Sequence, residues 1–158
     1  ELGVADRVRF LGLRNDVENV FAAADVVVVP STCDEAFCYA AVEGMAAGKP
    51  VIVTDSGGMP ELMAGGECGV VVPKHDENAL AGAVSAILSD DARAQRLGAA
   101  ARERVAALYT TDRWVAAMLR AYQRLVPSIR LTPPTAKAPS VTTVAPPMDD
   151  VAQRSAIG

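Results

Sequence analysis

The stretch that most constrains the fold is Asp25-Val-Val-Val-Val-Pro30, with the polar loop and the helix-forming run after it. Four β-branched residues in succession, with no polar alternation, describe a strand covered on both faces, as in a parallel sheet. Pro30 ends the strand, and Ser31, Thr32, Cys33 and Asp34 make the loop. Phe37 to Ala47 is dominated by good helix formers, and Gly48 is placed to stop the helix. The result is a strand, loop and helix unit. Open α/β sheets bind ligands in the crevice at the carboxyl end of such a strand, facing the helix N-terminus. Free main-chain amides there favour a phosphate.

Two acids sit in this unit. Glu35 lies just before the expected helix and Glu43 about two turns inside it, so a rise of 1.5 Å per residue separates them by at most about 12 Å. That span suits a ligand longer than a phosphate. With a diphosphate at the helix N-terminus, one acid would accept hydrogen bonds from hydroxyls on one side of it and the other from hydroxyls on the opposite side, because carboxylates are strong, charge-assisted acceptors. A plainer reading stays open. Glu35 would then be a first-turn acid complementing the helix dipole, and Glu43 a solvated glutamate.

Pro30-Ser31, the run from Glu35-Ala-Phe-Cys-Tyr-Ala-Ala-Val-Glu43 through Gly-Met-Ala-Ala-Gly-Lys-Pro-Val to Asp55, and Gly57-Gly58-Met59-Pro60-Glu61 resemble the retaining, nucleotide-sugar-dependent glycosyltransferases of family 4. Glu35 and Glu43 fit that family's E-x7-E signature, and the similarity runs from about Val8 to about Val126. The resemblance implies the C-terminal donor-binding domain of a two-Rossmann-domain, B-type enzyme. It gives Glu35 a catalytic place near the donor sugar and Glu43 the nucleotide ribose. It also implies donor contacts from Phe37, Cys38 and Tyr39, main-chain approach to the sugar or diphosphate at Gly57 and Gly58, and a nucleobase against the backbone near Leu13 and Arg14. Read from the residues alone, Gly12 merely turns the chain and Arg14 is solvated, while Glu61 complements a helix dipole. Where the family commonly reads E-G-F-G, this chain has Glu35-Ala36-Phe37-Cys38, which would project a side chain where glycine allows close approach.

The expected fold class is α/β, an incomplete Rossmann-like parallel sheet flanked by helices, with C-terminal helices and a disordered tail. Arg7 to Gly12 alternates and reads as a strand, Val17 to Ala24 as a short helix with Asn15 or Asp16 as cap, and Val51 to Thr54 as a buried strand. Pro60 opens a helix after the Ser56-Gly57-Gly58 turn, and Gly69 to Val72 is a further strand. His75, the sole histidine, sits in the polar loop Lys74-His75-Asp76 and reads as a surface residue rather than a base. Asp76 caps a helix with Leu80, Val84, Ile87 and Leu88 on its apolar stripe. A second helix, Asp91 to Leu108, turns Leu97, Ala101, Val105 and Leu108 inward. A last helix starts at Thr110-Thr111-Asp112 and carries Trp114, Val115, Met118, Leu119, Tyr122 and Val126. Stripes of this kind are normally core. The resemblance adds that the last helix usually crosses to the other domain, and that the four strands are the third to sixth of a sheet ordered 3-2-1-4-5-6. The last three would then be adjacent, and the first cut off from its neighbour. From Pro127 onward, Pro133, Pro134, Pro139, Pro146 and Pro147 lie among Ser, Thr and Ala, so 1–126 is expected to be the partial domain and 127–158 a disordered tail.

With 51% hydrophobic residues, the 158-residue chain has ample material for a packed core. A net charge of -4 with interspersed signs argues against nucleic acid as a partner. Cys33, Cys38 and Cys68 form no C-x-x-C pair and no set with histidine, which suggests reduced thiols in a cytoplasmic protein, with neither a signal peptide nor a transmembrane run. The expected partners are a nucleotide-diphosphate sugar donor and an unknown acceptor. Peripheral membrane contact is left to the domain that the resemblance places elsewhere. No cofactor and no metal is implied. The resemblance assigns neutralisation of the leaving diphosphate to an Arg and a Lys of the domain's first strand region, for which no counterpart precedes Val8. The chain alone is therefore expected not to turn over donor. Two functions are open: part of a retaining glycosyltransferase, or a non-catalytic nucleotide-binding or interaction module left from one.

Overall fold

A computed structural model describes residues 3–130. They fall into two compact units, 3–17 and 18–130. The tail expected beyond Pro127 lies outside the described residues from position 131 onward.

Residues 3–17 contain a 3-10 turn at Ala5–Arg7 and no strand. The strand expected over Arg7 to Gly12 is not formed, and Phe10 and Leu13 are 97% and 99% exposed. The physical reason is pairing. A strand needs a neighbour for its main-chain groups, and an alternating pattern alone supplies none.

In the second unit the chain runs α1 (Val17–Ala23, its first residue belonging to the other unit), β1 (Val27–Val29), α2 (Tyr39–Ala46), β2 (Val51–Thr54), α3 (Met59–Leu62), a 3-10 turn at Ala64–Gly66, β3 (Val70–Val72), α4 (Glu77–Leu88), α5 (Asp91–Leu108) and α6 (Thr111–Leu125). The strands form one parallel sheet in the order β1-β2-β3. Val27 pairs with Val51, and Ile52 with Val70. The three valine-rich runs are thus adjacent, as expected.

β2 is the centre, and all four of its residues are buried. Because side chains alternate along a strand, Val51 and Val53 face one layer, with Ala41 and Met45 of α2, Met59 and Leu62 of α3, and Ala101 of α5. Ile52 faces the other, with Val72, Ile87 of α4 and Leu97 of α5. Covering both faces explains the unbroken apolar runs, and burying each such side chain contributes about 1.5–3 kcal/mol. At Gly44 α2 comes so close to β1 that an added Cβ would lie 3.0 Å from a methyl of Val27.

The helix ends are set by their capping residues. The Asp76 carboxylate accepts from the Ala79 amide at 2.8 Å, Asp90 from Arg93 at 2.9 Å and the Thr110 hydroxyl from Arg113 at 3.4 Å. Helix α2 starts at Tyr39, two residues later than expected, because 37 and 38 still belong to the loop. Of the expected apolar stripes, Ile87, Leu97 and Ala101 are buried, whereas Leu88 and Leu108 are 54% and 44% exposed. On α6 Val115, Met118 and Leu119 are half-buried, but Trp114 and Tyr122 are exposed, as is Val126 at the helix end. That helix is amphipathic without a buried residue.

Amide hydrogen exchange checks this division. The main-chain amides of Val27–Val29 should exchange slowly and those of Val8 to Leu11 quickly. Equal protection of both in a monomer would contradict the architecture.

Candidate functional site

The carboxyl ends of all three strands carry polar loops, and these loops bond to one another. Thr54, the last residue of β2, is buried and donates its hydroxyl to the Ser31 carbonyl at 2.6 Å. Ser56, fully buried, donates to the Cys33 carbonyl at 2.6 Å. The amide of Gly58 donates to the Glu35 carbonyl at 2.9 Å. Two glycines make this approach feasible. A Cβ on Gly57, whose φ is +53°, would lie 2.3 Å from the Glu35 carbonyl oxygen, and one on Gly58 would lie 2.7 Å from that of Ala36. The turn expected to approach a donor therefore first approaches the Glu35 segment.

Glu35 is half-buried, and its carboxylate accepts from the Ser31 hydroxyl. That hydrogen bond first, and then the nearby Cys38 thiol, hold its pKa below the usual range. Asp34 next to it is lowered too, first by its hydrogen bond and ion pair with Lys74 at 3.0 Å. Both groups are ionised at neutral pH. Their folded-state contacts are formed above the ordinary carboxylate range and lost as pH falls through the lowered values. Glu35 is thus an acceptor of hydrogen bonds and a fixed negative charge, and not a proton donor.

Cys38 differs from its expected place. The side chain does not project toward the crevice; it is 4% exposed and packs in the core beside Ala41 and Met45, and burial pushes its thiol up. The extended backbone at this helix cap turns it inward. Glu43 lies on α2 opposite the buried stripe of Ala41, Gly44 and Met45, and is exposed. The helical rise between the two acids applies only from Tyr39 onward, because Glu35 to Cys38 is loop. Phe37 is 40% exposed and Tyr39 73%; their rings meet edge to face at 5.4 Å, and Phe37 meets Tyr109 at 5.6 Å. The three line a groove of about 1020 Å³ with Trp114, Arg113 and Arg120. Leu13 belongs to residues 3–17, where Arg14 pairs with Asp16 at 2.6 Å. His75 is exposed, as expected. Among the described residues no group of acids, histidines and cysteines could hold a metal.

The structure thus brings Glu35, Cys38, Gly57 and Gly58 together, and adds Ser31, Asp34, Ser56 and Lys74. Of these four additions only Ser31 stands in a motif of the resemblance. Lys74 lies 40 positions from Asp34, a pairing that no local pattern announces.

A model of the glycosyl transferases group 1 matches residues 1–104. The chain belongs to that family. It is similar to the D-inositol 3-phosphate glycosyltransferase of Corynebacterium diphtheriae, 44% identical over 107 residues, covering 66% of this chain and 25% of the relative. Among solved structures, the sucrose-phosphate synthase of Thermosynechococcus elongatus superimposes with a TM-score of 0.73 and 40% identity over 80% of this chain and 32% of that one. Anabaena Alr3699/HepE in complex with UDP-glucose superimposes with a TM-score of 0.69 and 30% identity over 76% and 34%. This group 1 chain therefore spans about a quarter to a third of the length of the relatives it matches. No helix among its described residues is long and apolar enough to cross a membrane.

The three cysteines are free. A thiol reagent under native conditions should label exposed Cys33 quickly and buried Cys38 and Cys68 only after denaturant is added. Rapid labelling of all three in the folded chain would refute the inward placement of Cys38.

Proposed function

We propose that this chain binds the nucleotide-diphosphate sugar donor of a retaining glycosyltransferase, with Glu35 beside the donor sugar and Glu43 on the nucleotide ribose. The observation that carries the reading is the setting of Glu35. Its carboxylate accepts from the Ser31 hydroxyl and is held ionised, where the loops after β1 and β2 touch, immediately before α2. Sugar hydroxyls are donors, so a fixed carboxylate both orients the ring and places negative charge near an anomeric carbon that becomes positive as the leaving group departs. The UDP-glucose held by the Anabaena structure supports a nucleotide-sugar ligand. The inward Cys38 side chain removes an obstacle from the crevice, leaving the main chain of Phe37, Cys38 and Tyr39, with Gly57 and Gly58, to approach the diphosphate. The name of the Corynebacterium relative supports a glycosyl transfer to a small acceptor, whose site we assign to sequence outside this chain. Three free thiols fit a cytoplasmic setting.

Titration of the isotopically labelled chain with UDP-glucose, followed by NMR, tests the assignment. Glu43→Ala should weaken binding by about 1.5–3 kcal/mol, the contribution of hydrogen bonds to a charged group, and His75→Ala should leave it unchanged. Equal affinities of the two variants would remove Glu43 from the site.

A further inference from the structure

We propose that Asp34 is a positioning residue of this site, closing the loops after β1, β2 and β3 into one ring and so fixing Glu35. The inference rests on the donor-binding reading above and concerns how its central carboxylate is held in place.

One oxygen, Asp34 Oδ1, accepts from two N–H donors and lies against the Ser56 hydroxyl. Lys74 Nζ, from the loop after β3, lies at 3.0 Å. Ser56 Oγ and the Gly57 amide, from the loop after β2, each lie at 3.2 Å. Asp34 itself stands in the loop after β1, one residue before Glu35. A further bond completes the circuit, for the Lys74 amide donates to Asp55 Oδ1 at 2.8 Å, joining the third loop to the second.

An exposed ion pair in isolation contributes little, and the side chains of this one are 36% and 73% exposed. Its role here is geometric. Ser56 is fully buried and already committed to the Cys33 carbonyl, so its hydroxyl is a rigid point against which Asp34 is held. The β1 loop is otherwise tied to the β2 loop through the Glu35 main chain, through Thr54 and through the Ser56 bond to the Cys33 carbonyl. None of these reaches the β3 loop. Only Asp34 and Lys74 connect the Glu35 segment with it among the hydrogen bonds of the described residues. Without that tie, the Asp34 to Cys38 turn keeps its anchor on β2 but gains freedom about it. The Ser31 hydroxyl and the Glu35 carboxylate then no longer stay in register.

The experiment uses the whole chain and two readouts. The first, without ligand, is the Glu35 side-chain carboxyl titration followed by carbon NMR. The second is UDP-glucose affinity. Lys74→Ala should raise the Glu35 titration midpoint toward that of an ordinary glutamate, whereas Asp34→Ala, which also removes a neighbouring negative charge, is read by affinity alone. Each should weaken UDP-glucose binding about threefold to tenfold, as when one charge-assisted hydrogen bond is loosened. Lys74→Arg should restore both. Lys74→Ala leaves every core residue in place, so it remains informative if Asp34→Ala fails to fold. A wild-type midpoint and affinity in Lys74→Ala overturns the proposal, as does failure of Lys74→Arg to restore them. If the wild-type chain binds no UDP-glucose, the donor-binding reading falls, while the ligand-free titration of Glu35 still decides the role of Asp34.

Discussion

The site depends on one place where two main chains meet. The amide of Gly58 reaches the carbonyl of Glu35, and the backbone of Gly57 lies where no side chain would fit against it. That contact joins the loop after β1 to the loop after β2 ahead of Phe37 and Cys38, which pack against side chains of their own. The buried hydroxyls of Thr54 and Ser56 extend the same seam by bonding to the carbonyls of Ser31 and Cys33. Buried hydroxyls and carbonyls without partners would be costly, so the two loops satisfy each other.

Beneath the seam lies the sheet. β2 is buried throughout, paired on both edges, and its residues alternate between two apolar layers. A strand so fixed is a stable base for the loop at its end, and Thr54, Asp55 and Ser56 stand at or directly after the last paired positions. Helix α6, amphipathic and without a buried residue, stands at the other extreme.

Much of this was legible in the sequence. Val51 to Thr54 could be delimited as a strand because its neighbours, Pro50 and the Ser56-Gly57 turn, break the run on both sides. Asp76 and Thr110 announced their helices through side chains that compete for main-chain amides. Arg7 to Gly12 forms no strand because strand propensity describes a surface that fits a sheet and does not provide the sheet, although the strand order already set this segment apart from the three-stranded core. Cys38 misled for a different reason: which way a loop side chain turns depends on backbone angles that a one-residue comparison with glycine does not contain. The Asp34 and Lys74 pairing was invisible because it arises only once three strands stand side by side. Glu35 could be singled out, yet its hydrogen-bonded, ionised state could not.

Gly44 carries a consequence for its neighbour in the chain. By letting α2 settle against the methyls of Val27, it sets the rotation of the whole helix about its axis. Glu43, one position earlier, is swung by roughly 100° away from that contact. The direction in which this acid points is thus decided by the smallness of the residue beside it. A larger residue at 44 would redirect a side chain it never touches, turning a packing change into a change of aim.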